Sequence, residues 1–180
     1  MALTRPMRRG EDEPHILQVD TSFSTDRTYN VKRTGLSYSL EVIEINPTLQ
    51  KDYGQITDLD EYPFVVVAEV VVVAEEQSAI CGFAAVRIEA WNNRAILGHL
   101  YVSEGYRGLG IGKLLVQSSV NYAKSSNTRC LWLETQNINY PAIQFYQRMG
   151  FEWCGLDIEL YDDTTVNAYE IALFFARRIG

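Results

Sequence analysis

"YVSEGYRGLGIGKLLVQSS", residues 101–119, changes its hydrophobic period halfway along, and that change decides the fold. Upstream, "RAILGHLYV" (94–102) reads as a strand. Downstream, Ile111, Leu114, Leu115, Ser118 and Tyr122 fall at i, i+3, i+4, i+7 and i+11, which predicts an amphipathic helix. Between the two periods stand Gly108, Gly110 and Gly112 beside Arg107. Glycine inside a helix costs about 1 kcal/mol relative to alanine, so its use here needs a cause. The first N–H groups of a helix lack partners within it and carry the positive end of its dipole. Removing side chains lets an anion, above all a phosphate, approach those donors. Two phosphate loops fail on spacing. A Walker A loop needs a glycine where Arg107 stands and Ser or Thr where Leu114 stands, and "GLGIG" does not keep the G-x-G-x-x-G interval. R-x-x-G-x-G remains: Arg107, Gly110, Gly112.

Working outward, "FVVVAEVVVVA" (64–74) and "AICGFAAVRIEA" (79–90) are rich in β-branched and apolar residues, with "EEQS" as the turn between them. "NN" at 92–93 turns the chain into the motif strand, so three strands form an antiparallel meander. Weaker strand patterns cover 15–20 and 36–45, and 46–60 reads as a polar connection. After the helix, "RCLWLET" (129–135) returns to strand. Ala142, Phe145, Tyr146 and Met149 recover the helical period, and Gly150 is a stop. Residues 151–161 and 168–176 predict two closing strands paired through "DDTTVN". The order β-β-β-α-β-α-β-β describes an α+β (mixed α/β) chain around one mostly antiparallel sheet of six to seven strands flanked by helices. Without repeats or linkers, residues 1–180 read as a single domain, with 1–13 frayed.

Composition narrows the function. The chain of 180 residues is 47% hydrophobic and 22% charged, an ordinary globular balance. Its net charge of −7 argues against nucleic acid as a partner and suits a cationic small molecule. No apolar run reaches the roughly 20 residues of a membrane span, and no apolar segment follows Arg5, Arg8 and Arg9 to make a secretory signal. The expectation is a cytoplasmic protein without membrane attachment. Cys81, Cys130 and Cys154 lie far apart in apolar segments and read as buried free thiols. With His15 and His99 as the histidines, no metal site is expected.

"VSEGYRGLGIGKLLV" resembles the acetyl-CoA-binding motif of the GNAT family of N-acetyltransferases, with Val102, Arg107, Gly110 and Gly112 in register. "LETQNINYPAIQFYQRMGF" (133–151) resembles a second motif of that family, N-x-x-A-x-x-F-Y-x-x-x-G-F. The likeness covers about 62–161. Within the family, "WNN", "LETQN", "GLDIELY" and "YEIALFF" are similar to streptothricin acetyltransferases and their relatives.

The resemblance implies direct transfer of acetyl from acetyl-CoA, as donor substrate, to a primary amine of a small cationic acceptor. It assigns cofactor binding to Leu100, Tyr101, Val102, Arg107, Gly108, Leu109, Gly110, Ile111, Gly112, Lys113, Asn139, Ala142 and Tyr146. Backbone N–H groups of Arg107, Gly108, Gly110, Ile111 and Gly112 would meet the pyrophosphate. Tyr146 falls at the family's general-acid position, although its helical spacing equally suits a core residue. Asn139 would bond the CoA arm, cap the helix that follows, or do both. The base has three candidates: His99, Glu134 or a water chain. His99 stands, with Gly98, where relatives carry acidic residues. Tyr101 shares the strand face of His99 and is a candidate for lining the acceptor pocket. Glu89, Trp91, Asp157 and Glu170 either line an acidic acceptor site or are solvated surface. Trp132 reads as packing. Other acceptors are a polyamine, an amino acid or a protein amine. A non-catalytic acyl-CoA sensor is the alternative outside enzymes, and "EIALFF" leaves room for a homodimer.

Overall fold

The computed structural model describes residues 2–54, 70–76, 79–162, 164 and 169–180. Its strands are β1 (Leu3–Pro6), β2 (Phe23–Thr34), β3 (Ser37–Lys51), β4 (Val70–Glu76), β5 (Ala79–Glu89), β6 (Arg94–Val102), β7 (Cys130–Gln136), β8 (Glu152–Asp157) and β9 (Ala172–Arg178). The helices are α1 (Glu13–Ile16), α2 (Ile111–Ser125) and α3 (Tyr140–Arg148). Seven strands form one mixed sheet in the order β1-β4-β5-β6-β7-β9-β8, and β2 and β3 form a separate hairpin. The described chain divides into two compact units: Met1–Thr21, Tyr53–Leu133 and Arg177–Gly180; and Ser22–Asp52 and Glu134–Ala176.

In the first unit the expected meander is present, with β4–β5 and β5–β6 antiparallel. Residues 64–69 and the turn tip at 77–78 lie outside the described residues. The register between β5 and β6 runs from Ala85↔His99 to Val86↔Leu97, which leaves Gly98 as an extra, bulged residue. A bulge bends its strand and increases the local twist. The parallel ladder from β6 to β7 holds Ala95↔Leu131 and Ile96↔Trp132, just before that bulge. Beyond the bulge, His99–Val102 pair with β5. Gly82 is required here for closeness, because an added Cβ would stand 2.5 Å from the Tyr101 carbonyl oxygen.

Two expectations at the N-terminus are corrected. Residues 3–12 are not frayed: β1 pairs with β4, and the Arg5 guanidinium reaches Asp12 at 2.6 and 2.8 Å and Glu75 at 3.0 Å. This pairing holds the Asp12 carboxyl down at about 2. Segment 15–20 is not a strand. Pro14 starts α1 in the conformation it favours, and the turns that follow bury Ile16 and Val19 against Val73, Phe83 and Ala85. A spacing of three suits a turn as well as it suits a short strand, and the core decided between them.

Helix α2 begins at Ile111, as its period predicts, but its buried face is Ile111, Leu115, Val116, Ser119, Val120 and Ala123. Leu114 is exposed instead. The hydrophobic spacing therefore located the helix while misplacing its face by about one residue. Trp132 lies beneath the Arg94 guanidinium, 4.3 Å from the ring centroid.

In the second unit the strand expected at 36–45 is present as the front of β3, which runs on through 46–51 of the expected polar connection and pairs with β2 in a long hairpin. Both strands are largely exposed, so alternation with a core could not mark β2 or the far end of β3. Residues 55–60 of the expected connection lie outside the described residues. Asn137 clasps the hairpin: its side chain donates to Tyr29 O at 2.8 Å and accepts from Ile171 N–H at 2.7 Å. Strands β8 and β9 pair antiparallel, with 163 and 165–168 of the expected connection outside the described residues. Cys81 and Cys130 are buried thiols, but Cys154, on β8, is exposed.

Candidate active site

In the first unit the candidate residues gather where β6 ends and α2 begins. The chain leaves Val102 through a 3-10 turn, Glu104–Tyr106, and passes Gly108 and Gly110 at φ of +78° and +86°. A side chain at either position would be strained, although there is open space where each Cβ would stand. Glycine is thus demanded by the backbone path, and the bare surface follows from it. The first intrahelical bond of α2 runs from Leu114 N–H to Gly110 O at 3.2 Å. The N–H groups of Ile111, Gly112 and Lys113 therefore have no acceptor within the helix, as for any helix start. Ile111 is buried and anchors this end, whereas Gly108, Leu109, Gly110 and Lys113 are exposed.

Arg107 departs from its expected use. Its N–H donates to Glu104 O at 3.1 Å, so it is not among the donors open to a ligand. Its guanidinium donates to Val102 O at 2.8 Å and to Asp20 at 2.9 Å. The residue braces the turn against the strand end. Asp20, its partner, had no signal in the sequence.

His99 and Tyr101 share one face of β6, with ring centroids 5.8 Å apart and Phe83 within 6.4 Å of both. Burial pushes the His99 imidazole down to about 4. It is therefore neutral at physiological pH and a far weaker base than an ordinary histidine. A depressed histidine stabilises the fold fully above its unfolded pKa of about 6.5 and loses that contribution as pH falls towards its folded value. A ¹H–¹⁵N titration is expected to put the His99 midpoint near pH 4; a midpoint above 6 contradicts the burial. His99→Gln is likewise expected to flatten the loss of thermal stability between pH 6.5 and 4.

In the second unit Asn139 caps α3, its Oδ1 accepting from Ala142 N–H at 3.2 Å. Tyr146 is buried, edge-on to Phe145 at 5.5 Å and Phe151 at 5.7 Å. Glu134, on β7, is half-buried and accepts a hydrogen bond from the Tyr161 hydroxyl. Burial pushes its carboxyl up from the usual range, and Tyr161 pulls it partly back. Sequence reasoning missed Tyr161, whose only trace was its place at the end of "GLDIELY".

The proposed acidic lining disperses. Glu89 is held by Asn92 and Arg94 at 3.0 and 2.8 Å, and Trp91 is 83% exposed. Asp157 accepts from Glu159 N–H at 2.9 Å. Glu170 is not solvated surface: it is buried, bonded by Lys51 at 2.8 and 2.9 Å and by Gln136 at 2.6 Å. A cavity of about 620 Å³ beneath the hairpin is walled by Val31, Ile43, Ile45, Leu49, Ile138 and Ile171. It has no acidic lining residue and is a poor match for a cation. Among the described residues no cluster of His, Cys, Asp or Glu has metal-binding geometry, and no helix is long and apolar enough to cross a membrane.

A mixed sheet whose parallel ladder stops at a bulge, and a strand that ends in a glycine turn capping a helix, define an acyltransferase architecture. The chain belongs to the acetyltransferase (GNAT) family, whose model matches residues 38–151. It is an N-acetyltransferase that acts on an amine. Streptothricin acetyltransferase of Streptomyces lavendulae is 36% identical over 171 residues, covering 89% of this chain and 86% of that protein. The Escherichia coli enzyme of the same name is 26% identical over 92% of this chain and 90% of its own length. Among solved structures, nourseothricin acetyltransferase superposes with a TM-score of 0.88 at 32% identity, covering 99% of both chains. A Bacillus anthracis structure assigned to the streptothricin acetyltransferases, in complex with acetyl coenzyme A, superposes at 0.82 with 25% identity over 99% of both chains.

Proposed function

We propose that this enzyme transfers acetyl from acetyl-CoA to a primary amine of a streptothricin-like cationic acceptor. The observation that carries the donor assignment is the Gly108–Gly110 turn, whose positive φ angles leave an exposed helix start without covering side chains. A diphosphate is the chemistry such a start accepts. The donors assigned to it are the N–H groups of Gly108, Gly110, Ile111 and Gly112. Leu100, Tyr101 and Val102, on the part of β6 released by the bulge, are assigned to the pantetheine arm. An N–H near Val102 would stabilise the oxyanion, a contribution of about 3 kcal/mol in comparable sites. Asn139 is assigned to the CoA arm as well as to its cap. The relatives named above support the acceptor class, and the chain's net charge of −7 suits a cation.

The chemistry closes on two residues. An acceptor ammonium, pKa about 10, must lose a proton before it attacks. Glu134 takes it, a role for which its raised pKa suits it better than the depressed one of His99. The amine forms the N–C bond, the intermediate collapses with cleavage of C–S, and Tyr146 protonates the departing thiolate. The proton left on the amide nitrogen restores Tyr146.

The test is thiol release from acetyl-CoA with streptothricin, polyamines, amino acids and peptides as acceptors. Streptothricin is expected to have the highest kcat/KM. Turnover confined to peptides or polyamines would remove the acceptor assignment and keep the donor. Acetyl-CoA failing to bind in calorimetry would remove both. Gly110→Val, which strains φ and covers the turn, is expected to raise the KM for acetyl-CoA at least tenfold while the acceptor KM holds.

A further inference from the structure

We propose that Tyr161 is a positioning residue for this transfer, its hydroxyl orienting the Glu134 carboxylate for proton removal from the acceptor ammonium. The inference rests on Glu134 being the base, as proposed above.

Tyr161 lies just past β8, in the bend at 158–161, yet its hydroxyl donates to Oε1 of Glu134, 27 positions away in the chain. Glutamate has three rotatable side-chain bonds, and a free one loses about 1–2 kcal/mol of rotamer entropy when it is held in one pose. A donor fixed on Oε1 selects that pose before the acceptor arrives and leaves Oε2 to take the proton. Burial alone disfavours the ionised carboxylate, whereas a hydroxyl donating to it favours it. The same contact therefore aims the base and favours its ionised form against the effect of burial.

Several other polar and titratable groups of this unit have partners of their own, among them Asp162, which accepts from the Thr164 N–H and hydroxyl at 2.9 and 2.7 Å. Along β7, Gln136 shares a face with Glu134 and turns its amide to Glu170, whose charge is balanced by Lys51. Tyr146 packs between Phe145 and Phe151. Past β8, Asp157 accepts from the Glu159 backbone, and the Glu159 side chain is exposed. The Tyr161 hydroxyl is a titratable partner of the Glu134 carboxylate.

Two readouts test the proposal, one of them independent of turnover. In protein carrying ¹³C-carboxyl glutamate, Tyr161→Phe is expected to raise the Glu134 titration midpoint by half a pH unit or more, since a donor to the charged form has been removed. The acid limb of kcat is expected to move alkaline by the same amount, with the KM for acetyl-CoA within twofold of wild type. A variant that leaves both the midpoint and the limb in place would falsify the role of Tyr161. Loss of kcat alone, without movement of the limb, also counts against it. In the Glu134→Gln background, Tyr161→Phe is expected to have no further effect on kcat; a further loss shows that it acts elsewhere. If Glu134→Gln retains wild-type kcat, the base assignment falls and this inference falls with it. If Glu134→Gln is inactive and Tyr161→Phe shifts nothing, only Tyr161 is lost.

Discussion

Tyr146→Phe lowers kcat by about 10²–10⁴-fold while leaving the KM for acetyl-CoA and the melting temperature close to wild type. That range is what a positioned general acid contributes. The substitution removes one oxygen and retains the ring, so the edge-on contacts with Phe145 and Phe151 persist. A coenzyme A thiol has a pKa of about 8.5 and a tyrosine about 10, so the hydroxyl can protonate the leaving thiolate without a large shift. Thiol release under saturating acetyl-CoA measures the effect. If kcat stays within threefold of wild type, Tyr146 is a core residue and the thiolate draws its proton from water. Because the sequence spacing also suited a core position, this variant separates the two readings directly.

Lys51→Met destabilises the enzyme by about 2–4 kcal/mol and lowers its melting temperature by roughly 5–15 °C. The Glu170 side chain is fully buried and carries two hydrogen bonds from the Lys51 ammonium. Removing the ammonium leaves a carboxylate in the interior, still bonded by the Gln136 amide. The charge then lacks compensation, and that penalty exceeds the modest net worth of the intact pair. Lys51 is 20% exposed, so solvent tempers the loss below the upper end of the range for dry pairs. Adding Glu170→Gln to Lys51→Met should recover part of the stability, since no net charge is then buried. A melting temperature within 2 °C of wild type for Lys51→Met would mean that water already carries the charge.

The two candidate groups differ in how much the sequence disclosed. The strand–turn–helix at 94–125 was legible as a succession of elements, because its signals are local, although the buried face of the helix lies about one residue away from the one its period marked. A β-branched run, two glycines at positive φ and a helical period each act within a few residues. Asn139, Ala142, Tyr146 and Gly150 were likewise readable as one helix with its cap and stop. Tyr161 was not legible as a partner of Glu134, nor Asp20 as a partner of Arg107. In both cases the second residue stands at the end of a stretch that reads as a strand, and a hydrogen bond over a long sequence separation leaves no spacing to detect. Strand β2, the far end of β3 and their pairing in a hairpin were missed for a different reason. These strands expose most of both faces, so the alternation that marks a half-buried strand is absent.

The sequence by itself determined that this chain folds as a mixed sheet with helices, that a bare glycine turn precedes the helix at 111–125, and, through its two motifs, that the family is that of the GNAT acetyltransferases. Local backbone preference and hydrophobic period are sufficient for the first two conclusions, and the resemblance of the two motifs carries the third. Only the tertiary structure decided that Arg107 braces the turn, that His99 is held neutral, that Glu170 is a buried ion-pair partner and that Tyr161 holds Glu134. Each of those depends on burial and on partners distant in sequence, and a side chain's charge, direction and basicity are set by what surrounds it after the chain has folded.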